Sequence, residues 1–292
     1  MQIAYIGYQA QMQYITDVGS DENLELLHFL KQKGLSIELV FWDDPNIDWK
    51  VYDLVVLKSP WNYHEAIEKF HQWLTCLQEM SIKVCNPIDL MKWNSDKHYL
   101  KEIEKAGLPV IPSFFFEKGS QIDLNLSYFK LWDTPKLVLK PCISAGAKNT
   151  LILHSENLHH HLATINHLLR EADYLIQPFE ETVGHGEWSF IFFNQQFSHA
   201  VLKIPKSGDF RVQHHFGGTI HSLSVKPAYL KQVEKYVHQF AKGSLYARVD
   251  GLIKNDQFYL MELELIEPYL FLQSKQDRME RYYQALKAPY LL

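Results

Sequence analysis

Two neighbouring segments, "YARVDGLI" (246–253) and "QFYLMELELI" (257–266), constrain the fold of this chain more than any other feature. Side chains on a strand alternate between faces. Met261, Leu263 and Leu265 are therefore expected on one face, and Glu262 and Glu264 on the other. Two carboxylates about 6–7 Å apart repel by about 2–3 kcal/mol at an effective dielectric near 20, so positive charge is expected over that face. The link "KNDQ" has hairpin-loop character. A three-residue loop of Asn255, Asp256 and Gln257 pairs Asp250 with Glu262 and Arg248 with Glu264, all four on one face. A slip of one residue would send Asp250 to the other face. Three clustered carboxylates suit a hard divalent cation. Equally, Arg248 could neutralise them on a solvent-facing hairpin, and spacing alone leaves both readings open.

The first 85 or so residues alternate strand and helix. "IAYIGY" (3–8), "SIELVFW" and "YDLVVLKS" read as strands, and "ENLELLHFLKQKGL" and "HEAIEKFHQWLTCLQEM" as helices, the first closed by Gly34. That is the pattern of a small parallel α/β domain, whose ligands sit beyond the carboxyl ends of the strands. "KSPWNYH" (58–64) then lies at a mouth, with Ser59, Trp61 and Asn62 as candidate substrate contacts, or forms an ordinary loop with a packing Trp. Helical spacing runs from about Ser95 to Ala106. From residue 135 onward strands dominate, with helices near 156–171 and 226–242, which reads as α+β.

The chain has 292 residues, enough for two or three domains. A net charge of −5 gives no general reason to bind nucleic acid. No apolar stretch approaches 18 residues, so no membrane span is expected. "MQIAYIGYQA" lacks the basic and apolar regions of a signal peptide. Cys76, Cys85 and Cys142 are odd in number and without C-x-x-C spacing, as expected of buried free thiols in a reducing cytoplasm. The His residues of "HEAIEKFH" are seven apart rather than in H-E-x-x-H, and "HHH" (159–161) lies on a polar helix. No G-x-S-x-G is present.

Further segments point to phosphate. Lys140 ends "KLVLK" immediately before "PCISAGAKNT", whose small residues allow backbone N–H groups to approach an anion. Lys97 opens the helix of "WNSDKHYL", where a point charge can reach a polyphosphate. Arg211 lies among glycines in "GDFRVQHHFGG". "LIQPFEE" sets strand backbone beside acids, as an adenine edge and ribose hydroxyls require.

The ordered series "NSDK", "LVLKPCISAGA", "LIQPFEETVGHGEWSF", "GDFRVQHHFGG", "ARVDGL" and "LMELELIEP" resembles the ATP-grasp superfamily, in its glutathione-synthetase and ribosomal-protein-modifying ligase branch. "WDDP", "LKSPWNY", "WNSDK" and "MELELIEPYLFL" look particularly like the cyclo-ligases of cycloserine biosynthesis. The resemblance implies an ATP-grasp fold: an N-terminal parallel α/β (pre-ATP-grasp) domain over 1–92, a small central α+β subdomain over 93–176, and a C-terminal α+β subdomain over 177–292. It implies that Lys97 and Lys140 contact nucleotide phosphates and that Ser144, Ala145, Gly146 and Ala147 close over them. Gln177, Pro178 and Phe179 match the adenine hinge. Glu187 matches the ribose acid, with Glu180 and Glu181 as neighbours that leave the assignment open, and Met261 falls among the nucleotide contacts. Lys203 and Arg211 match catalytic cations near the transferred phosphate. Asp250, Glu262 and Glu264 match ligands of Mg²⁺, two ions, with Mn²⁺ an alternative. Glu264 stands where relatives often have Asn, and Gln213, a candidate substrate contact, where Asn is frequent.

The expected function is ATP-dependent ligation of a carboxylate to an amine or related nucleophile through an acyl phosphate. The substrates are small and amino-acid- or peptide-like, with no nucleic-acid or membrane partner and a homodimer as the prior. A kinase-like phosphotransferase on the same fold, or a nucleotide-binding regulator without turnover, are the alternatives.

Overall fold

A computed structural model describes residues 1–8, 22–120, 127–146, 148–206 and 218–291. Strands β1 (Gln2–Gly7), β2 (Ser36–Phe41), β3 (Leu54–Leu57) and β4 (Lys83–Cys85) form a parallel sheet in the order β2-β1-β3-β4. Ile3 to Ile6 and Leu54 to Leu57 are apolar without alternation because both faces of this sheet are covered. Ile3, Tyr5, Leu54 and Val56 pack against helix α1 (Glu22–Gln32) and against Met279 and Tyr282 of the C-terminal helix 276–286. Ala4, Ile6, Val55 and Leu57 pack on Phe70, Trp73 and Leu74 of α2 (Ile67–Glu79).

A helix not expected from the spacing, α3 (Ile88–Asn94), is followed by α4 (Tyr99–Lys105), so the expected helix over 95–106 is present but starts about four residues late. Lys97 lies in the turn between them rather than inside a helix. Side chains of this region hook onto the acidic strand. Asn94 donates to the Leu263 carbonyl at 2.7 Å and accepts from Leu265 N at 2.9 Å, continuing the edge of that strand. Asn86 does the same for Leu265 and Tyr246.

Strands β5 (Phe114–Phe116), β6 (Lys136–Pro141), β7 (Leu151–His154) and β8 (Tyr174–Pro178) make an antiparallel sheet in the order β5-β8-β6-β7. Between β5 and β6 lies the short α5 (Ser127–Leu131), and α6 (Leu158–Glu171) packs Ile165 and Leu169 into the core of this sheet. A third sheet, also antiparallel, has the order β11-β10-β9-β12-β13. Its strands are β9 (Glu187–Phe193), β10 (Gln196–Ile204), β11 (Thr219–Ser222), β12 (Tyr246–Lys254) and β13 (Gln257–Glu264). Helix α7 (Pro227–Phe240) covers it through Val233, Tyr236 and Val237. The C-terminal helix is α8 (Gln276–Leu286).

The expected pairing of Asp250 with Glu262 and of Arg248 with Glu264 is present, but it arises differently. The loop has two residues, Asn255 and Asp256, both at positive φ (50° and 59°) as a tight primed hairpin turn requires. A bulge between Asp250 and Gly251 then inserts Met261 and restores the register. Met261 consequently packs with Leu252, Tyr259 and Phe179, whereas Leu263 and Leu265 pack with Phe258 and Leu260 in another cluster. The expectation that Met261 shares a face with those two leucines is corrected by the bulge. Only glycine fits at 251, because a Cβ there would collide with the Tyr259 carbonyl.

Past β13 an irregular strap crosses back to the first sheet. Four consecutive carbonyls each accept from a different side chain: Pro268 from Lys58 (3.0 Å), Tyr269 from Arg248 (3.0 Å), Leu270 from His199 (2.8 Å) and Phe271 from Arg278 (2.7 Å). Glu22 accepts from the N–H groups of Leu270 and Leu272, both at 2.8 Å, and from Lys58 at 2.9 Å. Buried non-repetitive backbone needs such partners.

His199 makes part of this strap sensitive to acid. Burial first, then Arg278, push its imidazole down to about 3. An unfolded His titrates near 6.5, so between those values the unfolded chain holds the extra proton. This contribution to stability is complete above about pH 6.5 and is lost as pH falls, at up to roughly 1.4 kcal/mol per unit. Denaturant titrations at pH 6 and pH 4 should show a smaller acid loss in His199→Gln than in the parent protein. Equal losses would contradict this assignment.

Cys85 and Cys142 are buried free thiols as expected, while Cys76 is exposed. No helix among the described residues is long and apolar enough to cross a membrane.

Candidate active site

The positive charge demanded by the acidic face of β13 comes from three directions. Arg248 forks onto Asp250, with Nη2 at 2.9 Å from Oδ2, and also donates to Glu264. Lys203 on β10 reaches Glu187 at 2.5 Å and Asp250 at 3.3 Å. Lys97 reaches Glu262 at 3.2 Å from outside the sheet. Ser189 on β9 donates to Asp250 at 2.6 Å. The hairpin is not solvent-facing, since Arg248 and Asp250 are both buried.

Among the described residues five carboxylates (Asp250, Glu187, Glu262, Glu264, Glu267) meet four cations (Lys97, Lys140, Lys203, Arg248). The shortage of positive charge shows in proton affinities. Against burial, Arg248 and Lys203 hold Asp250 below the usual carboxylate range, and Lys97 and Lys140 do so for Glu262. Burial, with repulsion from Asp250 and Glu262, overcomes Arg248 and pushes Glu264 up to about 8. Burial also raises Glu267, which has Glu264 and Glu262 as neighbours. Glu187 is raised by burial even beside Lys203, because Lys203 is shared with Asp250. The donor set is all oxygen and short of positive charge, which fits Mg²⁺. Glu262 and Glu264 keep free lone pairs for it, whereas Asp250 already accepts from three side chains.

Lys97 also joins this face to the small-residue loop. Its ammonium donates to the Ser144 carbonyl at 3.1 Å and to Ser144 Oγ at 3.3 Å, and its backbone N–H donates to the Cys142 carbonyl at 2.9 Å. Lys140 forms no ion pair with a described residue, and burial lowers its proton affinity despite Glu262 and Glu187 nearby. A desolvated, unpaired ammonium is a place for an anion. Ala145 and Gly146 follow Ser144, with Gly146 at φ 62°. Ala147 lies outside the described residues, as do Arg211 and Gln213.

The expected hinge borders a small apolar cluster. Phe179, Met261 and Tyr259 pack with Ile111, Val183 and Leu252. Pro178 lies opposite Leu137, and Phe179 N donates to Lys136 O at 3.0 Å. Gln177 is buried and donates to Ser113 at 2.8 Å. Glu180 is gripped by Lys254 at 2.7 and 2.9 Å and Glu181 by Lys136 at 2.9 Å, while Glu187 sits with Lys203 in the acidic cluster.

At the mouth, Ser59 is buried with its N–H on the Ile6 carbonyl (3.1 Å), and Trp61 Nε1 donates to the Glu267 carbonyl at 3.2 Å. Asn62 turns away, accepting from Trp42 at 2.7 Å and donating to Asp43 at 2.7 Å. The sequence reading included Tyr63 in the mouth segment but gave it no role, although its side chain is buried and feels Glu267, Glu262 and Glu264. It treated Arg248 only as a neutraliser and passed over Glu267 and Asn94. Only Arg248, from its register opposite Glu264, carried a usable signal.

The three sheets with this site between them are the ATP-grasp fold. The solved D-cycloserine synthetase DcsG superposes with a TM-score of 0.82 at 23% identity, covering 98% of each chain. D-alanine–D-alanine ligase from Bacillus anthracis, solved with ATP, superposes with a TM-score of 0.69 at 17% identity over 98% of this chain and 95% of that one. The fold is therefore one shared with ATP-grasp ligases, and sequence similarity to a curated protein extends over most of the chain. Among particular proteins, the chain is similar to the cycloserine biosynthesis protein DcsG of Streptomyces lavendulae. The two are 27% identical over 286 residues, covering 89% of this chain and 91% of that protein. Residues 3–86 match the family model described as D-cycloserine synthetase DcsG, N-terminal domain.

Proposed function

We propose that the protein joins a small amino-acid- or peptide-like carboxylate to an amine or related nucleophile, with ATP forming an acyl phosphate on the way. The observation that carries this is Lys97, which bridges the acidic face at Glu262 and the small-residue loop at Ser144, with Lys140, which has no ion pair among the described residues, beside it. Residues 1–92 form the substrate side, and 93–176 and 177–292 close on the nucleotide. Adenine lies against Phe179 and Met261 beside Gln177 and Pro178, with Glu187, Glu180 or Glu181 toward the ribose. Lys97, Lys140 and Ser144 to Ala147 hold the phosphates. Asp250, Glu262 and Glu264 would hold Mg²⁺, which supplies charge neutralisation at the phosphates when bound.

The substrate carboxylate attacks the γ-phosphorus in line, and the nucleophile then displaces phosphate from the acyl carbon. Such chemistry needs positioning and charge stabilisation more than a covalent protein nucleophile. Lys203 and Arg211 offset the charge on the phosphoryl and tetrahedral oxygens. Ser59 and Trp61 are the substrate contacts at the mouth, and Gln213 is a further one by resemblance alone. ATP, Mg²⁺ and a panel of amino acids and small peptides should give phosphate release above a Lys140→Ala blank, together with a ligated product. Blank-level rates with every substrate, despite tight ATP binding, would overturn the reading. A phosphorylated substrate as the sole final product would select a kinase instead.

A further inference from the structure

Outside the acidic cluster, Asp96, His98 and Cys142 bring a carboxylate oxygen, an imidazole nitrogen and a sulfur to within 4.8 Å of one another. We propose that these three side chains form a binding site for a zinc-like transition-metal ion, distinct from the oxygen-only set on β12 and β13.

The donor chemistry separates the two sites. Sulfur and imidazole select Zn²⁺ and its neighbours, whereas Mg²⁺ takes carboxylate, carbonyl and water. Three protein donors plus one water complete the tetrahedron that zinc adopts at open sites.

The site is largely built before any ion arrives. Asp96 Oδ1 accepts from the backbone N–H of His98 at 2.9 Å and lies 2.7 Å from its Nδ1. The Lys97 N–H on the Cys142 carbonyl, at 2.9 Å, pins the two backbones together. His98 stacks on Phe115 at 4.7 Å, which fixes the plane of the imidazole. Zinc contacts of roughly 2.0–2.3 Å set tetrahedral donors about 3.3–3.8 Å apart, so the Asp96–His98 contact opens and the longer separations close by shifts on the order of 1 Å. Cys142 is fully buried, but the Asp96 and His98 side chains are 35% and 29% exposed, which leaves an entry path and room for the water. Lys97, the nearest cation in sequence, turns its ammonium to Ser144 and Glu262 instead. On coordination Cys142 gives up its thiol proton to solvent and the ion takes its place. The ion would clip the turn carrying Lys97 to the start of the loop carrying Ser144.

The test uses the full chain with Cys76→Ser, because Cys76 is an exposed thiol that could bind cobalt on its own. Titration with Co²⁺ should give a thiolate-to-cobalt charge-transfer absorption saturating at one ion per chain. Zn²⁺ should bleach it by displacing the cobalt, and Mg²⁺ should not. Adding Cys142→Ser should abolish the band. His98→Phe, which keeps a ring on Phe115, should weaken cobalt binding at least about tenfold. Glu262→Gln should leave the band intact, because the acidic cluster contributes no sulfur. A folded Cys76→Ser protein without the band, or a band that survives Cys142→Ser, overturns the site. Should Cys142→Ser fail to fold, unchanged cobalt affinity in His98→Phe overturns it equally.

Discussion

Glu262→Gln is expected to lower ATP-dependent phosphate release by about 10²–10³-fold, the scale of losing one preorganised charge contact at a reacting phosphate. Glu262 is the better choice because its side chain is 34% exposed and pairs with Lys97 alone. The neutral amide still accepts a hydrogen bond from Lys97, so the fold should tolerate it. Asp250→Asn should lose at least as much activity, but it also removes an acid from both Arg248 and Lys203. Leaving buried cations short of a partner is destabilising in itself. Rates should therefore be read beside melting curves. Glu262→Gln with parental melting and a collapsed rate supports the acidic face as part of the catalytic apparatus. A parental rate at saturating ATP and Mg²⁺ would remove Glu262 from it.

The largest effect on stability is expected at Lys58→Met. Lys58 is fully buried, and its ammonium bonds to Glu22 at 2.9 Å and to the Pro268 carbonyl at 3.0 Å. Taking one partner from a buried ion pair costs about 3–5 kcal/mol, because the other charge stays in a medium that cannot solvate it. For a chain of this size that corresponds to a fall in Tm of roughly 5–8 °C. Glu22 would retain the N–H groups of Leu270 and Leu272, so the strap should loosen rather than detach. The same strap supplies the Tyr269 carbonyl to Arg248, so loosening should also reach the acidic face. Differential scanning calorimetry with denaturant titration checks the size. A loss below about 1 kcal/mol would show that Glu22 is satisfied by backbone alone.

The hairpin shows how far pattern reading goes. Alternation in "LMELEL" and the short link "KNDQ" were enough to pair Asp250 with Glu262, yet a three-residue loop was assumed where a two-residue turn and a bulge achieve the same end. The count agreed because a bulge in one strand and an extra loop residue shift register equally. The face of Met261 did not survive that exchange. Helix spacing over 95–106 likewise began too early and took in the turn at Lys97, because periodicity records which residues face the core and not where the helical backbone starts. The acids and lysines of the site are conspicuous in sequence because charge inside apolar runs is costly and therefore noticeable.

By itself the sequence determined most of the longer strands and helices, the parallel character of the first sheet, and the shared face of Asp250, Arg248, Glu262 and Glu264. These follow from local spacing, which did not reveal the short strands β4, β5, β7 and β11 or helix α8. Only the tertiary structure decided that Lys97 meets Glu262, that Glu22 and Lys58 hold the strap at 268–272, and that α8 closes on the first sheet. Those contacts join residues up to 250 positions apart. No window of sequence contains both partners, and each forms only because folding removes the water that would otherwise satisfy it.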